Sequence, residues 1–220
     1  MIYKRYIKRL MDVILSAAAL TVLALPLAAV AVLIRIKLGK PVLFKQRRVG
    51  KDNREFLMMK FRTMTESRDE HGIYLPDSER ITPFGSFLRA TSIDELPSLL
   101  NILKGEMSII GPRPLPVRYL ERYTTEQLRR HEIRPGLSNV AVINGRNAQT
   151  WEEQFEKDVW YVGHVSFWID FKSILSTIMI VLSRKGATSE DGGSRCEFIG
   201  TADIETLQAD SDNNYMKLEK

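Results

Sequence analysis

The longest apolar stretch of the chain is an uncharged run of 22 residues at positions 13–34. A helix of this length is long enough to span a bilayer. Pro26 lies just past the middle of the run. Its ring clashes with the preceding helical turn and removes a backbone hydrogen bond, so a kink at Pro26 is predicted.

Helical spacing of apolar residues returns at positions 167–182. One face carries Phe167, Phe171, Ile174, Leu175, Ile178, Val181 and Leu182, and the other carries Asp170, Lys172, Ser173, Ser176 and Thr177. A helix with two such faces packs either on a protein core or at a membrane interface. The pattern alone leaves both positions open.

Shorter patterns organise the rest of the chain. Residues 41–46 and 55–61 are predicted as strands that are joined across Gly50–Asn53. Helices are expected at residues 94–103, 116–132 and 152–161, a loop at 66–79, and an irregular segment at 133–147. The prediction is a mixed α/β fold, mostly helical. It has a membrane helix with basic flanks at 1–37, a small domain at 38–184 and a weakly structured acidic tail at 185–220.

Positive charge is concentrated at the start of the chain. The net charge is +5, but residues 1–65 hold fourteen Lys and Arg against three Asp and Glu. Four of these cations precede the apolar run and six follow it by residue 48: Lys4, Arg5, Lys8, Arg9, Arg35, Lys37, Lys40, Lys45, Arg47 and Arg48. A simple spanning helix has its positive charge mainly on the cytoplasmic side, whereas here both ends favour the cytoplasm.

A bent helix that enters one leaflet and returns satisfies both basic flanks. This re-entrant form is the favoured interpretation, and the alternative is an ordinary kinked single-pass anchor. Asp12, at the entry edge, is expected near the headgroups in a pair with Lys8 or Arg9. Anionic lipids are the expected partners of the basic flanks.

Composition excludes several other classes of protein. The single cysteine, Cys196, rules out an internal disulfide, and three scattered histidines do not form a zinc-binding pattern. Nucleic acid is not an expected partner, because the basic residues flank an apolar segment and no aromatic-basic recognition motif accompanies them.

Two adjacent carboxylates, Asp94 and Glu95, provide the strongest chemical signal, and Gly111-Pro112-Arg113-Pro114 follows within twenty residues. A carboxylate can attack phosphorus or hold a metal ion, and a guanidinium group pairs with phosphate oxygens. A structural alternative is equally open: Ser92-x-x-Glu95 matches a capping box, and Asp94 itself could cap a helix that tolerates Pro97.

Further motifs resemble those of the bacterial sugar transferases that act as small monotopic phosphoglycosyl transferases. The resemblance covers residues 4–182 in conserved order. Its strings are Lys8-Arg9-x-x-Asp12, Phe44-x-Gln46-x-Arg48-x-Gly50, Lys60-Phe61-Arg62-Thr63-Met64, Arg89-x-x-Ser92-x-Asp94-Glu95-Leu96-Pro97-x-Leu99-x-Asn101, Gly105-x-Met107-Ser108-x-x-Gly111-Pro112-Arg113-Pro114, Arg134-Pro135-Gly136-Leu137, Asn144-Gly145-Arg146-Asn147 and Asp158-x-x-Tyr161, continuing to Ser166, Asp170 and Thr177.

Two departures from the family pattern stand out. Ser138-Asn139-Val-Ala141 replaces the usual glycine and Ala-Gln after Arg-Pro-Gly, which puts the nucleotide or sugar contacts of that segment in question. Leu25-Pro26 replaces the Ser-Pro pair found at the helix break of many small members.

The resemblance implies a re-entrant helix, a catalytic domain on the cytoplasmic face of the bacterial inner membrane, and a specific reaction. A sugar-1-phosphate would pass from a UDP-sugar to a polyprenol phosphate in the first membrane step of surface glycan assembly, with release of UMP. Asp94 would be the nucleophile that forms a covalent phosphosugar intermediate, and Glu95 would assist. Mg²⁺ at Asp94 and Glu95 is expected. A homodimer is compatible with this assignment.

Basic side chains complete the predicted site. Arg113 and Arg89 are the expected phosphate-binding residues, and Lys60 and Arg62 are weaker candidates that could equally lie on a solvated strand face. Arg134 and Arg146 are placed near the nucleotide, with a structural role for Arg146 equally open. Two rival functions stay open: a membrane-anchored adaptor that binds phosphate or partner proteins, and a nucleotide-sugar diphosphate hydrolase.

Overall fold

A computed structural model describes residues 2–141, 150–183 and 197–200 of the chain. These residues form a mixed α/β fold that is mostly helical, as predicted. The α-helices are α1 (Lys8–Val22), α2 (Ala24–Lys37), α3 (Asp77–Arg80), α4 (Pro83–Ala90), α5 (Leu99–Lys104), α6 (Thr125–Leu128), α7 (Trp151–His164) and α8 (Phe167–Ser183). The strands are β1 (Leu43–Val49), β2 (Glu55–Phe61), β3 (Ser108–Ile110) and β4 (Gly136–Ser138).

The apolar N-terminal segment is a bent helix pair. A π-helical turn, Tyr3–Ile7, leads into α1, and the chain turns by 64° before α2. The break lies at Leu23, three residues before Pro26, because the proline ring clashes with the carbonyl group of the residue four positions earlier. No single helix of the described residues is long and apolar enough to cross a membrane, whereas the bent pair together meets that length and composition.

Strands β1 and β2 form the predicted antiparallel hairpin, with Phe44 opposite Lys60 and Arg48 opposite Phe56. The connection contains Asp52 and Asn53, both with positive φ, a conformation that short polar side chains tolerate. The apolar side chains of one hairpin face pack on α5, and this contact brings the acidic pair next to β2.

A parallel pair of three-residue strands, β3 and β4, connects the two proline-containing motifs. Part of the segment predicted as irregular is therefore a strand. Gly136 donates its N–H to the Pro112 carbonyl at 2.8 Å. A Cβ atom at Gly136 would lie only 2.2 Å from the Gly111 nitrogen, so this close approach of two backbones requires glycine.

The single helix predicted at 116–132 is wrong. Its place is taken by a 3₁₀ turn at Val117–Arg122, the short helix α6 and a second 3₁₀ turn at Arg129–Glu132. Thr124 forms a capping box with Gln127 and restarts the helix there. The cap and the extended backbone at Tyr123 divide the segment.

Aromatic side chains build a core beneath this segment and α7. Tyr119, Tyr123 and Phe155 surround Phe198, whose side chain is fully buried. Glu197 also pairs with Arg118 and Arg122, each at 2.9 Å. Residues 197–200 of the predicted weakly structured tail are therefore packed on the domain, and the remainder of that tail lies outside the described residues.

Helices α1 and α8 are packed with polar side chains inward. Asp12 and Ser16 are buried on α1, and Asp170 and Ser173 are buried on α8. The exposed apolar side chains of these helices include Leu10, Ile14, Leu15, Phe167, Trp168, Phe171, Leu175, Ile178 and Met179. Ile169 and Ile174 of α8 pack on the core, so the helix covers the core with one face and exposes apolar side chains on the other.

The pairing expected for Asp12 is wrong. Its carboxylate accepts hydrogen bonds from the Ser108 hydroxyl at 2.7 Å and the Ile109 N–H at 3.0 Å, because it lies on the inward face of α1 against β3. Lys8 pairs with Asp170 at 2.7 Å. Arg9 donates to carbonyl groups at the C-terminal end of α5, where cations are favoured.

Candidate active site

A 3₁₀ turn, Ile93–Ser98, places the two adjacent carboxylates at the start of α5. Ser92 precedes the turn with φ 56°, an uncommon conformation for serine, and its side chain makes no capping hydrogen bond among the described residues. The capping-box alternative is therefore not realised. Pro97 lies within the turn, and neither Asp94 nor Glu95 occupies the N-cap position of the turn or of α5, which are Ser92 and Ser98.

Hydrogen bonds fix this turn to β2. The Ser98 hydroxyl donates to the Met59 carbonyl at 2.8 Å, and the Asn101 side-chain oxygen accepts from the Met59 N–H at 3.0 Å. Asn101 also donates to the Leu57 carbonyl at 2.8 Å. All these partners are backbone groups of one strand, so the position of the acidic pair is coupled to the hairpin.

Glu95 lies between two cations that the sequence predicted for the site. Lys60 extends from β2 and its Nζ is 2.6 Å from Glu95 Oε1. Arg113 approaches from the Gly111–Pro114 motif, with Nη2 3.9 Å from the same oxygen. The Arg113 side chain is 56% exposed. Its guanidinium is therefore accessible to a ligand while lying beside the acidic pair.

Asp94 is only 8% exposed, and no other described side chain donates a hydrogen bond to its carboxylate. Burial raises the pKa of the Asp94 carboxyl to about 6, and the nearby Glu95 charge adds to the rise. Lys60 and Arg89 oppose the rise by favouring the ionised form. Near neutral pH this carboxylate is thus mostly ionised but weakly solvated, which suits a nucleophile.

Arg89 is brought to the site by the close packing of α4. Its Nε donates to the Thr63 hydroxyl at 3.1 Å, just after β2. Gly85 permits this arrangement, because a Cβ atom there would lie 1.8 Å from the Thr63 carbonyl oxygen. The guanidinium is on the exposed side of α4 and within electrostatic range of Asp94.

Arg62 and Arg134, which were also predicted for the site, make no described contact with Asp94 or Glu95. Arg62 is buried and donates to the carbonyl groups of Leu38 and Lys40, where the chain leaves α2. Arg134 donates to the Gly105 carbonyl at 2.7 Å, at the end of α5. Both guanidinium groups serve backbone carbonyls in this structure. Arg146 lies outside the described residues.

Arg48 is a cation that the sequence-based site does not include. It lies near the end of β1, and its backbone forms an antiparallel bridge with Pro116, three residues after Arg113. Burial lowers the pKa of Arg48 to about 10, with further lowering by Arg113. Side chains alternate between the two faces of a strand, so Arg48 lies on the same face of β1 as Phe44, which pairs with Lys60 across the hairpin. This alternation could have identified Arg48 from the sequence.

Within the described ranges, the side chains alone do not form a complete metal site. The described residues contain no group of three or more His, Cys, Asp or Glu side chains that could hold a metal ion. Asp94 and Glu95 do fit the manner in which Mg²⁺ binds, since it commonly takes one or two carboxylates and completes its shell with water and substrate phosphates.

Two other buried carboxylates accept hydrogen bonds from cationic or hydroxyl side chains. Asp158 pairs with the buried Arg130 guanidinium at 2.6 Å beneath α7. Asp170 accepts from the Tyr3 hydroxyl at 2.6 Å, from Tyr161, and from Lys8. These acids have multiple strong donors, which distinguishes them from Asp94.

Comparison with known proteins decides the family. The sequence pattern of the bacterial sugar transferase family matches residues 3–184. The chain belongs to the bacterial sugar transferase family. It is 44% identical over 198 residues to the uncharacterized sugar transferase EpsL of Bacillus subtilis, and the match covers 90% of this chain and 98% of that protein.

Two longer relatives in the family have names that state an activity. The chain is 37% identical to the UDP-N-acetylgalactosamine-undecaprenyl-phosphate N-acetylgalactosaminephosphotransferase of Aeromonas hydrophila, over 83% of this chain and 45% of that protein. It is 38% identical to the UDP-glucose:undecaprenyl-phosphate glucose-1-phosphate transferase of Xanthomonas campestris pv. campestris, over 82% of this chain and 40% of that protein. The chain thus spans less than half the length of these two transferases. Its membership confirms the resemblance drawn from the motifs and assigns the chain to a class of enzymes.

Proposed function

We propose that this sugar transferase moves a sugar-1-phosphate from a UDP-sugar to a polyprenol phosphate through a covalent intermediate on Asp94. The observation that carries the proposal is the buried, sparsely solvated Asp94 carboxylate beside Glu95, with Lys60 and Arg113 next to the pair. The names of the two longer relatives support the classes of donor and acceptor.

In the first step, an Asp94 oxygen attacks the β-phosphorus of the UDP-sugar. The new bond joins that oxygen to phosphorus, and the bond between phosphorus and the bridging oxygen breaks. The electron pair stays on the bridging oxygen, which leaves with UMP. Arg113 and Arg89 provide guanidinium groups for the phosphate oxygens, where planar forks bind well.

In the second step, the polyprenol phosphate attacks the same phosphorus and Asp94 leaves as a carboxylate. The product is a polyprenyl-diphosphate-sugar. Glu95 is suited to accept the proton of a protonated acceptor phosphate, because its carboxylate is held beside Lys60 and faces the same site. The two-step route lets a soluble donor and a lipid acceptor use one site in turn.

Mg²⁺ is part of the proposal. Asp94 and Glu95 would hold the ion together with phosphate oxygens of the donor, and the ion would neutralise charge on the diphosphate. Lys60 already neutralises part of the negative charge at Glu95.

A membrane location follows from the same proposal, since the acceptor is a lipid. The outward apolar faces of α1 and α8 and the bent pair α1–α2 support an apolar surface that rests in one leaflet. The basic residues on both flanks favour the cytoplasmic face, and they also favour anionic lipids.

Turnover with a panel of UDP-sugars tests the proposed reaction. Protein in nanodiscs that contain polyprenol phosphate should release UMP from at least one UDP-sugar in the presence of Mg²⁺. UMP release beyond the enzyme concentration should require the acceptor. Continued release without acceptor would instead identify a diphosphate hydrolase, and no release from any UDP-sugar would favour a binding adaptor. The panel also identifies the sugar, because the relatives differ in the one they use.

A further inference from the structure

Arg48 lies on the face of the β1–β2 hairpin that faces the acidic pair. Residues directly opposite each other in an antiparallel pair share a face, so Arg48, Phe56 and Lys60 belong to one side of the hairpin. Lys60 reaches Glu95 from that side, and Phe56 packs on the core beneath α5. Arg48 therefore projects on the side of the hairpin where the proposed reaction takes place.

The backbone of this part of β1 is joined to the chain that follows Arg113. Arg48 forms an antiparallel bridge with Pro116, and the Val49 N–H donates to the Leu115 carbonyl at 3.2 Å. This pairing brings two guanidinium groups, those of Arg48 and Arg113, to neighbouring positions on one rim of the site.

The Arg48 guanidinium is incompletely paired. Nη2 donates to the Gln46 side-chain oxygen at 2.6 Å, whereas the buried Nε has no hydrogen-bond partner among the described residues. A buried donor without an acceptor is costly, and the positive charge of Arg113 adds repulsion that Tyr119 and Glu95 partly offset. Arg118 lies within electrostatic range as well, but it pairs with Glu197. A bound anion would relieve both penalties.

The position of Arg48 along β1 indicates a water-soluble anion. Leu43, the first residue of the strand, packs on the apolar cluster that Ile34 of α2 forms with Phe61 and Leu88. A strand advances about 3.3 Å per residue, so Arg48 lies roughly 16 Å from Leu43. The lipid acceptor must approach from the apolar side, whereas Arg48 is at the opposite end of the strand.

We propose that Arg48, together with Arg113, binds the phosphate of the departing uridine nucleotide. This assignment rests on the proposed function. Each of the two phosphates of the UDP-sugar then has its own pair of cations. Lys60 and Arg89 lie beside the carboxylates that meet the transferred phosphate. Arg48 and Arg113 stabilise the negative charge that develops on the bridging oxygen as UMP leaves.

Binding of UMP to the full chain in nanodiscs, without donor or acceptor, tests the assignment. Arg48→Gln should weaken UMP binding about tenfold or more, because a hydrogen-bonded contact to a charged group is lost. Arg48→Lys should fall between Arg48→Gln and the wild type, since it keeps the charge without the planar fork. Uridine, which has no phosphate, should bind the wild type and Arg48→Gln equally.

Arg47 provides a matched control on the same strand. Its side chain is 78% exposed, lies on the other face of the hairpin and is 3.6 Å from Glu55. Arg47→Gln removes the same charge and should leave UMP affinity within about twofold of the wild type. An equal loss in both variants would show a general charge effect and overturn the assignment.

Steady-state rates with the UDP-sugar that turns over separate the donor from the acceptor. Arg48→Gln should raise the KM for the UDP-sugar and leave the KM for polyprenol phosphate unchanged. The reverse pattern would assign Arg48 to the lipid acceptor, and unchanged UMP affinity would show that Arg48 does not bind the phosphate that UMP retains, which overturns the assignment. If the wild type turned over a UDP-sugar but bound no UMP, this assignment would fail while the proposed function stood, whereas the absence of turnover with any UDP-sugar would overturn the proposed function itself.

Discussion

The buried carboxylates of two regions in this protein have opposite surroundings. Beneath α1 and α8, Asp170 accepts from two tyrosine hydroxyls and pairs with Lys8. At the start of α5, Asp94 is also buried but receives no hydrogen bond from another described side chain. The first acid holds helices together, whereas the second, which we propose as the nucleophile, is a poorly solvated anion. The difference teaches that burial alone does not distinguish the two acids, and that their hydrogen-bond donors do.

The largest effect is expected for Asp94→Asn, which preserves shape and removes the anionic oxygen. The rate of sugar-phosphate transfer should fall by roughly 10³-fold or more, because no neighbouring side chain takes the place of the nucleophile. UMP release in nanodiscs measures this loss. Asp52→Asn, at an exposed turn position, is the control and should retain the wild-type rate.

Stability should change in opposite directions in the two regions. Asp170→Asn leaves Lys8 unpaired and should destabilise the fold by about 3 kcal/mol. Asp94→Asn should stabilise it by up to about 3 kcal/mol at pH 7.5, because the shift from 3.8 to about 6 penalises the ionised carboxylate. Thermal unfolding in one detergent measures both variants.

The pH dependence gives this prediction a defined sign. The folded pKa of Asp94 lies above its unfolded value, so the wild type loses stability relative to Asp94→Asn as pH rises from about 4 to above 6. The two proteins should unfold at similar temperatures near pH 4. A stabilisation that is the same at pH 4 and pH 7.5 would argue against an ionised, desolvated Asp94.

A smaller loss is expected at the rim of the site. Arg113→Lys should lower the rate of transfer about 10- to 100-fold, because a point charge does not replace a planar fork on phosphate. Sedimentation with vesicles should show unchanged membrane association. Arg129→Lys, at an exposed arginine paired with Glu126 and Glu132, is the matched control. A near-normal rate for Arg113→Lys would show that Arg113 has a structural role.

The smallest effect on transfer is expected from a change at the bend between α1 and α2, because only part of the population should change topology. Pro26→Leu restores a backbone N–H and removes the clash behind the break at Leu23, so part of the population should adopt a straight spanning helix. Cysteines at the exposed positions Ile2 and Lys40, in a Cys196→Ser background, report the sides of the membrane. Both should react from the cytoplasmic side in the parent protein. Ile2→Cys should become partly protected in the Pro26→Leu variant, and transfer should fall.

Much of this arrangement could be predicted from the sequence, because it rests on local signals. The hairpin follows from two short strands around a polar turn, and the bend from Pro26. The family resemblance suggested Arg113 for the site and Lys60 as a weaker candidate, but their contacts with Glu95 depend on tertiary packing. Three-residue strands such as β3 and β4 carry too little periodicity to be recognised, and their pairing depends on distant backbone contacts.

Long-range contacts also explain the residues whose surroundings differ from expectation. Asp12 finds its donors on β3, nearly one hundred positions along the chain, and no local spacing indicates that partner. Phe198 belongs to a segment with few apolar residues, yet it fills an aromatic core built from three other parts of the chain. Arg62 and Arg134 lie in motif strings, but tertiary packing directs their side chains to backbone carbonyls.

The most direct test of the account is the mass of the protein after incubation with the accepted UDP-sugar and Mg²⁺ in the absence of polyprenol phosphate. We expect an increase equal to one phosphosugar, mapped by fragmentation to Asp94, absent in Asp94→Asn and removed when polyprenol phosphate is added. An adduct on Glu95 or any other residue, or an adduct of the same mass in Asp94→Asn, would contradict the assignment of Asp94 as the nucleophile.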